Sequence, residues 1–320
     1  MTDGHPPDTE SPSVVEDSEE AAPRGASVAR FFLLPLAVVG TAVVIFLVFS
    51  LITFERRTPA DYLAEVRGGT ANRRWQAAFE LSREVARIRP GPEREALAAE
   101  TLRLFESLSG KRAEDVRVRR YLTLVLGKLQ ARTAVPQLVA AVKDPDPETR
   151  LYAVWALGMI GGPPAVDPVL ESSFSDDSGA RKMAAYVLGR LGDPKAIPRL
   201  RVLLEDSVAD VRWNAAISLA SLGDGSGLPV LRSVVDRDAL VRQASLSADQ
   251  AEIAIVGALK AIALLRDRDS LPLLEKVSRE DPNLRVRAAA RTAIEAIGSR
   301  AAPTRANAMN VEWRESVLVV

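Results

Sequence analysis

Side chains that could perform catalysis or hold a metal are scarce in this sequence. The only histidine is His5, close to the N-terminus, and there is no cysteine. This composition leaves no histidine-based acid–base pair, no catalytic triad, no thiolate nucleophile and no histidine or cysteine ligands for zinc. We therefore predict that the chain is not an enzyme and that it carries no cofactor and no metal.

One glycine-rich segment superficially resembles a phosphate-binding loop. Gly223, Gly225 and Gly227 lie within the run GDGSG, but the spacing G-x-x-x-x-G-K-[ST] is absent and no strand precedes the segment. Ser226 also lies outside any G-x-S-x-G nucleophile elbow. The segment falls between two predicted helices, so we predict an ordinary turn.

Basic side chains on a series of predicted helices are the best candidates for binding a partner. The candidates are Arg199, Arg201, Arg232 and Lys276. Glu171, Glu205 and Glu275 dilute their charge, and a mixed surface favours a protein over a nucleic-acid backbone. We predict a protein partner and no nucleic acid, with a nucleic-acid-binding helical repeat kept as an alternative. Glutamate at all four positions should abolish partner capture without lowering the melting temperature.

These side chains are positioned by a segment that is repeated every 31 residues. The copies are RLYAVWALGMIG from Arg150, RKMAAYVLGRLG from Arg181 and RWNAAISLASLG from Arg212. In the second copy, Ala184 and Leu188 belong to a set of small and apolar residues at helical spacing, which predicts an amphipathic helix. A repeat of this length is typical of a solenoid.

A second helix completes each repeat. Gly192 is suited to end the first helix in the left-handed conformation, Asp193 to cap the following turn and Pro194 to begin it. Apolar residues between Ile197 and Leu204 predict a helix that packs antiparallel on the first. Neither helix can bury its apolar face alone, so the hairpins must stack on one another.

The run DPKAIPRLRVLLEDSVADVRWNAAISLASLG resembles HEAT repeats, specifically the short bacterial type named after phycobilisome lyases. The resemblance covers about Val116 to Gly298 and implies an α-solenoid, with the recurring Asp and Arg residues forming ladders between repeats. It leaves a bilin-lyase-like enzyme or accessory factor as an alternative. Some HEAT-type proteins are di-iron hydroxylases with histidine and glutamate ligands, and this chain lacks those histidines.

The N-terminal part has a different character. Residues 1–30 carry seven acids and are rich in proline and serine, which predicts a disordered tail. Every residue from Phe31 to Phe54 is uncharged, so residues 31–54 are predicted to form one transmembrane helix. Arginines are more frequent after this segment than before it, which predicts a single-pass inner-membrane protein with cytoplasmic repeats. A periplasmic repeat domain is the alternative.

Three further segments complete the predicted organisation. Residues 55–112 are predicted to form a divergent helical cap, and residues 113–300 the HEAT-like repeats. Between Ala244 and Gly257 the period slips, which indicates one helix broken in two. This segment is either a second candidate surface for a partner or an insertion without a role. Residues 301–320 form a tail in which Trp313 to Val320 is either a lid on the last repeat or a recognition strand.

The prediction as a whole is an all-α protein, an α-solenoid of HEAT-like helical hairpins preceded by one transmembrane helix. Its predicted role is a membrane-tethered scaffold that binds a membrane-associated protein partner and contacts the bilayer through one helix. Tethering would confine that partner near the membrane and raise its effective concentration.

Overall fold

The computed structural model describes residues 24–53, 57–108, 112–243 and 246–299, and all regular structure in these ranges is helical. This confirms the all-α prediction for the described part of the chain. The chain divides into two units, Met1–Arg57 and Thr58–Val320, which are described separately below.

The described part of the first unit is helix α1 (Arg24–Thr53), which contains Pro35. Its apolar side chains, such as Leu36 and Phe46, are exposed. Crossing a membrane takes about 20 successive apolar residues in one helix. No helix among the described residues meets the requirements of length and apolar character for such a crossing. This contradicts the predicted transmembrane helix at residues 31–54 and the predicted inner-membrane localisation. Residues 1–23 of the predicted tail lie outside the described residues.

The second unit contains fifteen helices in its described part. They are α2 (Pro59–Gly68), α3 (Ala71–Glu84), α4 (Pro92–Ser107), α5 (Ala113–Lys128), α6 (Val135–Ala141), α7 (Pro147–Ile160), α8 (Val166–Ser172), α9 (Ser178–Leu191), α10 (Ile197–Leu203), α11 (Ala209–Ser221), α12 (Leu228–Val235), α13 (Arg237–Gln243), α14 (Ala248–Leu265), α15 (Leu271–Glu280) and α16 (Leu284–Gly298). In the region of the predicted cap the structure has three helices, α2 to α4, of which the sequence analysis did not anticipate α2.

The helices form two layers. The first helices, α3, α5, α7, α9, α11, α14 and α16, pack on one another in that order. The second helices, α4, α6, α8, α10, α12 and α15, each pack on the first helix that follows them. The buried side chains between the layers are mostly Leu, Val and Ala, and they form two core clusters, one from Leu63 to Leu219 and one from Trp213 to Ile297. This arrangement is the predicted stack of helical hairpins.

The turn inside one repeat shows why the chain reverses direction there. Gly192 ends α9 with φ 71°, and the Asp193 side chain accepts a hydrogen bond from the Lys195 backbone N–H. Pro194 opens the short 3-10 turn that leads into α10. All three roles agree with the sequence prediction. The run GDGSG is likewise a turn, in which the Ser226 backbone N–H donates to Asp224.

A small residue sets the distance between successive first helices. A Cβ atom on Gly127 would lie 2.7 Å from the Ala156 Cβ, and one on Gly189 would lie 2.7 Å from the Ser218 Cα. In α16, the last helix among the described residues, the residue at this position of the repeat is Glu295, which is exposed. A charged residue thus replaces the small residue at this packing position.

The stack becomes irregular after α12. Helix α13 ends at Gln243, and α14 begins at Ala248 with Ser247 as its N-cap. The predicted broken helix is therefore confirmed, and α14 takes the place of the first helix in this repeat. Residues 244 and 245 lie outside the described residues, as do residues 300–320 with the predicted tail.

Candidate interaction surface

One arginine at the same position of successive first helices holds the loop in front of its helix. In α9, Arg181 donates from Nη1 to the backbone oxygens of Ser175 and Asp176 at 3.0 and 2.9 Å. In α7, Arg150 donates from Nη1 to the oxygens of Asp144 and Pro145 at 2.9 and 3.0 Å. Arg212 makes the equivalent contacts with Asp206 and Ser207, whereas Arg119 donates to the backbone oxygens of Phe105 and Leu108 at the end of α4.

The same arginine also reaches an acid in the following repeat. The Arg181 Nε and Nη2 atoms donate to Asp206 Oδ2 and Oδ1 at 2.7 and 3.0 Å. Arg119 donates to Asp144 at 2.8 Å, and in both cases the acid lies 25 residues after the arginine. Hydrogen bonding by Arg181 lowers the pKa of Asp206, and the same bond raises the pKa of Arg181. We call these pairs the arginine–aspartate ladder; they are the structural contacts that the resemblance implied.

The ladder has a gap after Arg150. The residue 25 positions later is Ser175 rather than aspartate. The Ser175 hydroxyl accepts a hydrogen bond from the Asp177 backbone N–H at 3.2 Å, which matches the bond that Asp206 accepts from the Val208 N–H at 2.9 Å. Ser175 thus keeps the local turn but supplies no carboxylate to Arg150.

Arg150 forms no ion pair within the described residues. Its Nη1 atom is occupied by the two backbone oxygens, whereas Nε and Nη2 have no acceptor there. Neither atom is buried, so solvent reaches both of them. They are the same atoms that bind Asp206 in Arg181. A second gap follows Arg212, because Arg237 occupies the position of the acid and pairs with Asp281 at 2.9 Å.

An exposed aromatic residue lies next to the gap after Arg150. Phe174 directly precedes Ser175 and is 65% exposed. The Arg199 guanidinium carbon lies 3.8 Å from the centre of the Phe174 ring, and Arg199 Nε donates to the Ser173 hydroxyl at 2.9 Å. Val202, which is 60% exposed, follows one turn after Arg199 on the same side of α10. We call Phe174, Arg199 and Val202 the Phe174 patch.

The arginine of the Phe174 patch, Arg199, is not hydrogen-bonded to a carboxylate in the described structure. Burial lowers the pKa of Arg199, and repulsion from Arg181 acts in the same direction, whereas Asp206 opposes both. Arg199 forms no salt bridge among the described residues; it binds the hydroxyl and the backbone oxygen of Ser173. The guanidinium is therefore positioned against an aromatic ring, with no carboxylate in salt-bridge contact among the described residues.

Two of the other predicted partner-binding residues form contacts between repeats. Arg201 donates to Asp224 at 2.5 and 3.1 Å. Arg232 donates to Asp267 at 2.6 Å and to the Ser270 hydroxyl at 2.9 Å. Burial alone would raise the pKa of Asp267, but hydrogen bonds from Ser270 and Arg232 outweigh it, and the pKa is lowered. These contacts indicate that glutamate at Arg232 would destabilise the fold.

Lys276 has a different environment from the three arginines. It is exposed, forms no ion pair within the described residues, and lies in a groove of about 190 Å³ between the α12–α13 corner and α15. Asp236, Asp238 and Glu280 line the same groove. The structure thus places Arg199 and Arg201 on one helix, α10, and the other two predicted residues on α12 and α15.

Phe174, Ser175 and Val202 were not among the residues predicted to bind a partner. For Ser175 a signal was present, because positions 144, 175 and 206 of the 31-residue repeat hold Asp, Ser and Asp. No comparable signal marks Phe174, since a lone phenylalanine after an apolar helix is more often buried than exposed. No group of three or more His, Asp or Glu side chains that could hold a metal occurs among the residues that the structure describes.

Comparisons with known proteins agree with this architecture. The family model described as HEAT repeats matches residues 103–185 and 175–249. The structure of the complex of CpcE and CpcF of phycocyanin lyase from Nostoc sp. PCC7120 is similar, with a TM-score of 0.55, 20% identity, and coverage of 81% of this chain and 94% of that chain. A search of curated proteins finds no match.

Two further solved structures resemble the chain more distantly. The Escherichia coli protein YibA has a TM-score of 0.48 and 15% identity, and the match covers 74% of this chain and 82% of that chain. A designed armadillo repeat protein has a TM-score of 0.37 and 16% identity, with coverage of 75% of this chain and 100% of that chain. Residues 103–249 thus contain HEAT repeats, and the described part of the second unit has the fold of a helical solenoid.

Proposed function

We propose that this HEAT-repeat protein is a scaffold that binds another protein through the Phe174 patch and has no catalytic role of its own. The observation that carries the proposal is the exposure of Phe174 and Val202, 65% and 60%, beside a stacked arginine. Aromatic and arginine side chains are enriched in the energetically important centres of protein interfaces. Neither Phe174 nor Val202 packs against the described core clusters.

The stack of repeats explains how such a scaffold works. Successive second helices present their exposed side chains side by side along the solenoid, so a partner can be contacted over an extended area. The Phe174 patch joins two repeats, because Phe174 follows α8 and Arg199 lies on α10. Burying the exposed part of Phe174 in an interface is worth about 1–2 kcal/mol, from about 1.5–3 kcal/mol for a complete side chain.

The proposal is tested by comparing partner capture by three versions of the full chain after cross-linking in intact cells. The variant Phe174→Ser with Val202→Ser should lose the captured protein by at least about tenfold, because tenfold corresponds to about 1.4 kcal/mol. Its melting temperature should stay close to that of the wild type, since both side chains are exposed. Leu284→Ser is the matched control, because Leu284 is 69% exposed on α16. Unchanged capture by the double variant would contradict the proposal.

A second candidate function is a bilin-lyase-like enzyme or accessory factor. The observation in its favour is the similarity to the complex of the phycocyanin lyase proteins CpcE and CpcF. At 20% identity this similarity concerns the fold alone. The candidate predicts a change in visible absorption when the purified protein is mixed with a bilin chromophore. An unchanged spectrum would remove it.

A further inference from the structure

We infer that the gap in the ladder between Arg150 and Ser175 receives a carboxylate side chain from the bound protein. The inference rests on the proposed function, because the carboxylate belongs to the partner that docks on the Phe174 patch. It adds the chemistry of that partner, which is an Asp or Glu next to an apolar side chain.

In the complete rung at Arg181, the guanidinium divides its donors between two sets of acceptors. Arg181 uses Nη1 for backbone oxygens of its own loop and the Nε and Nη2 edge for the two oxygens of Asp206. Arg150 uses Nη1 in the same way, so its Nε and Nη2 edge is aimed at the position of Ser175. This edge of a guanidinium fits the two oxygens of a carboxylate.

Arg150 has no internal carboxylate acceptor among the described residues. Asp176 and Asp177 stand in the same loop, but neither forms an ion pair with Arg150 in the described part of the chain. The Asp177 side chain instead accepts a hydrogen bond from the Ala180 backbone N–H at 2.9 Å and caps α9. Arg150 therefore holds a fixed, solvent-accessible pair of donors, which an external carboxylate can use without displacing an internal one.

The residues beside the gap indicate a protein as the source of the carboxylate. Phe174 precedes Ser175 in the chain and is exposed, and Arg199 stacks on its ring without forming a salt bridge in the described structure. A small free anion would use the donors of Arg150 but gain nothing from Phe174. An acidic residue of a protein can bind the donors of Arg150 while an apolar residue next to it in the partner covers the Phe174 ring. The combination favours a protein segment as the occupant.

The variant Ser175→Asp tests the inference without knowledge of the partner. An aspartate at this position completes the rung internally, so the melting temperature should rise by about 2–4 °C, which corresponds to about 1 kcal/mol in a unit of this size. Asp176→Asn is the matched control, because Asp176 is exposed and makes no side-chain hydrogen bond in the described structure. A melting temperature that is unchanged or lower in Ser175→Asp would overturn the inferred geometry.

A direct measurement of the donors uses sodium acetate as the probe. The side-chain Nε–Hε signals of the full chain are recorded by NMR during a titration with acetate, with sodium chloride at equal ionic strength as reference. The Arg150 signal, assigned with Arg150→Gln, should shift and saturate, whereas the Arg181 signal should not move because Asp206 occupies its donors. Ser175→Asp should abolish the Arg150 shift. Equal shifts of both signals, or none, would overturn the inference.

Partner capture separates this inference from the proposed function. If the inference and the proposed function are both correct, Ser175→Asp raises the melting temperature and weakens partner capture, because the new carboxylate occupies the donors of Arg150. If capture is lost in the Phe174 and Val202 double variant but unchanged in Ser175→Asp, the patch binds the partner and the inferred carboxylate is wrong. If the acetate shift is present but the double variant still captures the partner, the proposed function has failed.

Discussion

Replacing Asp206 by serine would convert a complete rung of the ladder into the arrangement that Ser175 already shows. The substitution removes two charge-assisted hydrogen bonds, from Arg181 Nε and Nη2 at 2.7 and 3.0 Å. It retains a hydroxyl that can accept from the Val208 backbone N–H, as Ser175 accepts from Asp177. The difference in stability between the wild type and Asp206→Ser therefore measures the contribution of the ion pair, because the turn is retained.

The magnitude follows from the burial of the pair. The side chains of Arg181 and Asp206 are 16% and 9% exposed. Exposed pairs contribute about 0–1 kcal/mol, and loss of one partner of a buried pair costs about 3–5 kcal/mol. For this mostly buried pair with two good hydrogen bonds we expect a loss of about 2 kcal/mol. That corresponds to a fall in melting temperature of about 4–8 °C.

The pH dependence provides an independent check. The pKa of Asp206 is lowered from its ordinary value of 3.8 by hydrogen bonding to Arg181. Its stabilising contribution is therefore complete above pH 3.8 and is lost as the pH falls through the lower folded-state pKa. The difference in unfolding free energy between the wild type and Asp206→Ser should be constant near neutral pH and should decrease as the pH falls below 3.8.

The assay is denaturant unfolding followed by circular dichroism at several pH values, with Asp176→Ser as the control. Asp176 is exposed, so that variant should stay within about 0.5 kcal/mol of the wild type. The reasoning is refuted if Asp206→Ser and Asp176→Ser have the same stability at neutral pH. It is also refuted if the Asp206→Ser difference grows as the pH falls.

Other substitutions test the packing and the partner-binding residues. Gly189→Ala should lower stability by about 1–3 kcal/mol, because its Cβ would lie 2.7 Å from the Ser218 Cα. Gly68→Ala, with nothing within 4 Å of the added Cβ, should instead raise stability by about 0.5 kcal/mol. Arg232→Glu should lower the unfolding free energy by about 2–4 kcal/mol, because it places a second acid beside a largely buried aspartate. Lys276→Glu should change it by less than about 0.5 kcal/mol, since the side chain is exposed. Denaturant midpoints measure all four, and a rise for Gly189→Ala or equal values for the two charge reversals would contradict these predictions.

The repeat architecture could be predicted because residues with the same structural roles recur every 31 positions in the sequence. Each hairpin needs a turn, a cap and a small residue where neighbouring helices meet, and Gly192, Asp193 and Gly189 satisfy these needs. The broken helix after Gln243 was also visible as a slip in the period. Features that recur with the period are therefore predictable from one sequence.

Features specific to one repeat were harder to predict. Whether a basic residue faces a partner or an internal acid depends on the neighbouring repeat, and the sequence alone did not show that Arg201 and Arg232 reach Asp224 and Asp267. The exposure of Phe174 depends on the course of a single loop. The predicted membrane span rested on the length and composition of one uncharged run and is contradicted by the described helices.

The account depends most on the claim that the Phe174 patch is where another protein docks. A photoreactive amino acid in place of Val202 in intact cells tests it directly, with the same amino acid in place of Thr292, an exposed residue of α16, as the control. The account predicts a defined cross-linked product from position 202 that disappears when Phe174 is also replaced by serine, and no such product from position 292. The same product from both positions, or one that persists without Phe174, would contradict it.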